Sequence, residues 1–125
     1  MPIYTPGQEE PEKKLVQGQN ASSLEWRIAL ALDYLGYDYI FQYEVFAGRR
    51  LRGGQVIDFW VFTVPKPTPI YAQGSYWHKE GSMTDDYKVK RLYNAYNGQI
   101  KRPLLIWENE VPSIDAAIRI LRNKL

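Results

Sequence analysis

The sequence predicts an α/β fold, a mixed central sheet flanked by helices, with elements in the order α-β-β-β-α-β-α. Three observations predict it. Apolar residues recur at helical spacing near residues 24–35, 84–96 and 114–125. Strand-length apolar or alternating runs lie between them, at 39–45, 56–64, 70–74 and 104–107. Gly and Pro punctuate the joins. With 125 residues, 45% of them hydrophobic and 14% aromatic, the chain is long enough for one domain with a real core and too apolar for a disordered chain.

Residues 1–20 carry Pro2, Pro6, Gly7, Pro11 and Gly18 with few apolar side chains, and read as an N-terminal arm that orders only against the body or a partner. The body, residues 21–125, begins with a helix on which Leu24, Ile28, Ala31, Leu32 and Leu35 share a face. Ser22 and Glu25 form a capping box at its start, and Gly36 stops it. Tyr39–Val45 alternates as a strand with Tyr39, Phe41, Tyr43 and Val45 on one face. Ala47–Gly54 is a Gly-rich hairpin connection into a second strand that runs through Asp58 to about Val64. Pro65, Pro67 and Pro69 force an extended turn into a third strand, Ile70–Gly74.

After Gly81 a helix from about Thr84 to Tyr96 carries Val89, Leu92 and Tyr93, and Gly98 ends it. Leu104–Trp107 is a short buried strand. Beyond Pro112, Ser113 caps a last helix whose Ile114, Ala117, Ile118, Leu121 and Leu125 face inward.

Composition excludes several chemistries. There is no Cys, so disulfides, thiol catalysis and thiolate zinc sites are out, and a single His excludes multi-His metal sites within one chain. No apolar run approaches the roughly 18 residues of a membrane span, and no signal-peptide pattern is present, so the expectation is a cytoplasmic protein without a membrane partner. Net charge is only +2. Its distribution is uneven: Glu9, Glu10 and Glu12 lie in the arm, while Arg49, Arg50 and Arg52 cluster in one loop and Lys88, Lys90, Arg91, Lys101 and Arg102 follow. The body is therefore moderately basic, compatible with a phosphate backbone as well as with ordinary solvated surface.

Asp58 stands out because it interrupts an apolar strand, between Ile57 and Phe59-Trp60. A buried carboxylate is costly unless it is hydrogen-bonded, paired or bound to a cation. The next strand ends in Gln73, Ser75 and His78, so two neighbouring strands present oxygen and nitrogen groups side by side, as a cation site would. Glu25 has a sufficient role as a cap, yet one turn into a helix beside the sheet its carboxylate is also within reach of such an ion. Asp58, Glu25 and the Gln73 amide oxygen make a workable oxygen set for a hard cation such as Mg²⁺. Gln73 bonding backbone is the plainer alternative. His78 has the unperturbed pKa of a general acid or base, or is a surface His stacked on Trp77. Trp60 and Trp77 are core residues or stacking platforms for bases. Lys79, Lys88, Lys90 and Arg91 are candidates for phosphate contacts, and Lys88 or Lys90 for stabilising transition-state charge.

These segments resemble the PD-(D/E)XK nuclease superfamily, with its restriction-endonuclease-like αβββαβ core, and within it the very-short-patch-repair-type endonucleases. The likeness rests on Glu25 in Leu24-Glu25-Trp26-Arg27, Asp58-Phe59, Gln73-Gly74-Ser75-Tyr76-Trp77-His78, and Ile106-Trp107-Glu108, and spans roughly residues 20 to 110. It implies a Mg²⁺- or Mn²⁺-dependent DNA endonuclease with Glu25, Asp58, Gln73 and His78 as catalytic positions. Asp58 would be the principal metal ligand, Glu25 a metal- or water-linked carboxylate, and His78 an aid to water activation. Arg49, Arg50, Arg52, Lys79, Lys88, Lys90 and Arg91 would hold DNA. The small size favours nicking or structure-selective cleavage and leaves room for a homodimer. The chain departs from the pattern where Gln73 replaces the family's first histidine and Ala72 the hydroxyl residue before it. Gln73-Gly74-Ser75 also lacks the acid and lysine of the broader motif, so a non-catalytic DNA-binding or assembly module is the rival expectation. The family's zinc-binding cysteines are absent, and its substrate specificity is not carried over.

Overall fold

The computed structural model describes residues 10–49, 54–74 and 79–125, with backbone alone for 79–86. It is a mixed α/β fold. A two-stranded hairpin, β1 (Leu15–Val16) and β2 (Gln19–Asn20), precedes helix α1 (Ser23–Leu35) and three strands, β3 (Tyr39–Val45), β4 (Gln55–Val61) and β5 (Thr68–Gln73). Helix α2 (Lys79–Tyr96), strand β6 (Leu104–Trp107) and helix α3 (Ile114–Lys124) complete the chain.

Helix α1 starts where its cap chemistry dictates. The Glu25 amide donates to Ser22 Oγ at 3.1 Å and the Ser22 amide donates to Glu25 Oε1 at 2.8 Å, which satisfies two of the otherwise orphaned groups at the helix start. Gly36 ends it in the left-handed conformation, φ 83°, where a side chain would be strained. Trp26, Ala29 and Leu30 are buried along with the expected Leu24, Ile28, Ala31 and Leu32. The buried surface is wider than a single stripe because α1 touches both the hairpin and α3.

The segment read as an arm includes that hairpin, which orders against the body. Gln17 and Gly18 both have positive φ, 48° and 78°, as a two-residue turn between twisted strands requires. The Gln17 amide then imitates a neighbouring strand: its Nε2 donates to Tyr39 O at 2.6 Å and its Oε1 accepts from the Phe41 amide at 2.8 Å. This covers part of the free edge of β3, a site where sheets otherwise recruit other chains.

The main sheet has the order β3-β4-β5-β6, antiparallel through the first three strands and parallel between β5 and β6. The parallel pair needs a crossover, which α2 supplies. One core lies against α1 and α3 and contains Phe41, Phe59, Val61, Ile70 and Ile106. A second, with Val45, Ile57, Trp60, Tyr71, Leu92 and Ile100, lies under α2.

Strand β3 corrects the expectation of one apolar face. Phe41 and Tyr39 join the α1–α3 core, whereas Tyr43 and Val45 join the α2 core. The exchange occurs at Gln42, whose φ of 56° breaks the period of two. Strand β4 does the same, with Phe59 in one core and Ile57 in the other. Gln42 and Asp58 lie between the same flanking pairs, Phe41↔Phe59 and Tyr43↔Ile57, so the two breaks face each other across the ladder.

Boundaries shift for local reasons. Strand β4 stops at Val61, short of Val64, because Thr63 Oγ1 donates to Lys66 O at 2.5 Å and lies 2.7 Å from the Thr68 hydroxyl, closing the proline turn. Strand β5 begins at Thr68, ahead of Ile70, as Val61↔Thr68 and Trp60↔Pro69 already pair. Helix α2 begins at Lys79, through Gly81, because one glycine in a helix costs only about 1 kcal/mol relative to alanine. Among the described residues no helix is long and apolar enough to cross a membrane.

Candidate active-site cleft

The fork between β4 and β5 positions the central group. Their ladder runs Val61↔Thr68, Trp60↔Pro69 and Phe59↔Ile70. Beyond that pair, the Ala72 amide donates instead to Asp58 Oδ2, at 2.8 Å. The carboxylate thus occupies the place of a backbone acceptor where the strands part. The broken alternation around Asp58 also lets it meet α1. Its carboxyl group lies beside that of Glu25, so a cap at a helix start and an acid within a strand are brought together.

Burial is the main force that raises the Asp58 pKa, to about 7, and the Glu25 charge and hydrogen bond push the same way. The Ala72 amide and the Lys88 ammonium oppose it. Asp58 therefore holds a proton close to neutral pH, and a divalent cation is the natural replacement for that proton.

A cleft of about 350 Å³ opens beside the pair, lined by Ser22, Ser23, Glu25, Ala72, Gly74 and Glu108 among others. Asp58 adjoins it through Glu25 and Ala72. Glu108, the last residue of the Ile106-Trp107-Glu108 segment, joins this lining although the sequence does not single it out as a site residue. It arrives because β5 and β6 run parallel with Gln73 beside Trp107, so the residue after β6 lies next to Gly74. Ligands of open α/β sheets gather outside such carboxyl ends, the signal that would have found it.

Ala72 and Gly74 line the cleft, and Gln73, between them at the end of β5, is half-buried. Among the described residues no group of three or more His, Asp or Glu side chains is close enough to hold an ion. Ser75, Tyr76, Trp77, His78, Arg50 and Arg52 lie outside the described residues, as does the Lys79 side chain.

The remaining basic residues divide into two settings. Arg49 is exposed but tied back, with Nη2 donating to Gln42 Oε1 at 2.7 Å and Nη1 3.8 Å from Glu44 Oε2. The Arg91 guanidinium stacks 4.1 Å above the Phe46 ring. Lys88 and Lys90 are exposed on α2. Trp60 packs between Tyr43 and Tyr96, with ring centroids 4.7 and 5.3 Å away, and is a core residue and not a platform for bases.

No family model, no curated protein and no solved structure matches this chain.

Proposed function

We propose that this protein is a Mg²⁺- or Mn²⁺-dependent DNA endonuclease on a restriction-endonuclease-like αβββαβ core, hydrolysing phosphodiesters by nicking or structure-selective cleavage. The observation that carries the reading is the Glu25–Asp58 carboxyl pair beside an open cleft at the end of the sheet. The order α1-β3-β4-β5-α2-β6, with β5 and β6 parallel, supports it.

The pair fits a divalent cation. Asp58 carries a charge that burial disfavours and the protein only partly compensates, and both groups are hard oxygen donors. With two carboxylates, the cation would keep several of its waters, as Mg²⁺ ordinarily does. Such an ion supplies Lewis acidity toward the phosphate and lowers the pKa of water. Asp58, fixed by the Ala72 amide, would hold it, and Glu25, fixed by the Ser22 cap, would hold it or orient the attacking water. Exposed Lys88 and Lys90, with Arg49 and Arg91 around the β3–β4 turn, would contact the DNA backbone. His78, Arg50, Arg52 and Lys79 keep the roles that the resemblance implies. A homodimer and a cytoplasmic, nucleic-acid-associated location belong to the same reading.

Gln73, standing where the resemblance has a histidine, favours one rival, a nuclease-fold DNA-binding or assembly module without catalysis. The deciding experiment is cleavage of labelled duplex, nicked, mismatched and four-way-junction DNA in Mg²⁺ and Mn²⁺, beside Asp58→Ala and an EDTA control. Metal-dependent cutting lost in the variant supports the enzyme. Salt-sensitive binding without cutting by either protein supports the module.

A further inference from the structure

The end of the sheet opposite the cleft leaves apolar surface in water. Trp60 lies under Tyr96, the last residue of α2, with ring centroids 5.3 Å apart. Asn97 and Gly98, at φ 42° and 84°, then turn the chain away. Ile40 pairs with Trp60 across the β3–β4 ladder, and the Phe62 amide donates to Asp38 O at 2.9 Å, which extends that ladder by one pair. By the period of two, Asp38, Ile40 and Phe62 share the Trp60 face, beyond the end of the helix that covers it. Ile40 and Phe62 are exposed, and Val64, next along the chain, is 86% exposed.

The turn that carries Val64 is fastened on both sides. Thr63 Oγ1 donates to Lys66 O, the Thr63 and Thr68 hydroxyls lie 2.7 Å apart, and the Lys101 amide donates to Pro67 O at 2.8 Å. Apolar surface held in water in this way marks a contact. Its flanks carry opposite charges. Across the end of the sheet the order is Asp38 on the β3 side, then Phe62 and Val64, then Lys66 in the turn toward β5. Asp38 and Lys66 are both exposed, and among the described residues neither forms an ion pair within the chain. Lys101 and Arg102 follow on the β6 side of the turn, outside this row. An anionic partner would meet Asp38 and a cationic one Lys66. A second copy of the chain satisfies both, because a twofold axis through the apolar middle sets each Asp38 against the other copy's Lys66. The backbone edge of β3 is covered by the Gln17 amide, so the contact is through the face.

We propose that this face is a homodimer interface, with the two copies meeting through Ile40, Phe62 and Val64 and through two Asp38–Lys66 pairs. It gives the homodimer a surface and needs none of the nuclease chemistry, so association and cleavage assays fail separately. The strip is small beside the roughly 800 Å² per partner of a standard interface, so the dimer is reversible. The test is sedimentation equilibrium of the full chain at low salt over about 1 µM to 1 mM, with circular dichroism to check each fold. Wild type dimerises, and Val64→Asp, a change at an exposed position, weakens the dimer about a hundredfold by burying a charge. Asp38→Lys and Lys66→Asp each weaken it about tenfold, since two attractive pairs become two repulsive ones. Mixed one to one, these two variants associate again, because both cross pairs are once more complementary. A wild type that stays monomeric, or a dimer that Val64→Asp leaves intact, overturns the interface. Single charge variants that pair as wild type does, or a mixture that stays apart, overturn the twofold arrangement. A monomeric wild type whose binding to labelled duplex DNA falls with Lys66→Asp assigns the face to nucleic acid instead.

Discussion

Replacing Asp58 with Asn isolates the cost of keeping a carboxylate in the fork. An Asn is the shape of the protonated acid: its oxygen can still accept from the Ala72 amide and its nitrogen can donate to Glu25. In the wild type the Asp58 pKa is raised from 3.8 to about 7, first by burial and then by Glu25. Between these values the folded protein keeps a proton that the unfolded chain has released. The stabilisation is therefore fully present below about pH 4 and is lost as pH rises through about 7. At about 1.36 kcal/mol per unit the ceiling is about 4 kcal/mol. Solvent contact at the cleft reduces this to about 2 kcal/mol. Urea denaturation in EDTA at pH 4, 6 and 8 reads it directly. The variant should match wild type near pH 4 and exceed it by about 2 kcal/mol at pH 8, with unchanged m values. A difference that stays constant across this range would refute the raised Asp58 carboxyl, because titrating groups away from the fork cancel in the comparison.

Metal should reverse that slope: saturating Mg²⁺ at 100 times its Kd would stabilise wild type by about 2.7 kcal/mol, with no effect on Asp58→Asn. Calorimetric affinity should tighten as pH rises through about 7, since the ion displaces the Asp58 proton. Phe59 is fully buried against the Phe41 and Tyr39 rings, so Phe59→Ala should cost about 3–5 kcal/mol in denaturant unfolding. Gln17→Ala uncovers the β3 edge; a loss of about 1–2 kcal/mol and concentration-dependent association by light scattering are expected.

Local chemistry made much of this protein readable from its sequence. The Ser22–Glu25 box and Gly36 bound α1, Ser113 starts α3, and Leu104–Trp107 is a strand, because caps and apolar periods act between residues a few positions apart. The anomaly of Asp58 in an apolar strand was likewise plain, as were the candidates Glu25 and Lys88. Their arrangement was not. Period-two reading put Tyr39, Phe41, Tyr43 and Val45 on one face, whereas the breaks at Gln42 and Asp58 divide them between two cores. Those breaks depend on where the β4–β5 ladder ends, a contact between strands that neither strand encodes alone. The parallel pairing of β5 with β6 likewise carried Glu108 to the cleft. The sequence by itself thus determined the elements and the chemical groups they carry. Tertiary structure decided which groups meet, because register, face and strand end are settled by pairing partners distant in the chain.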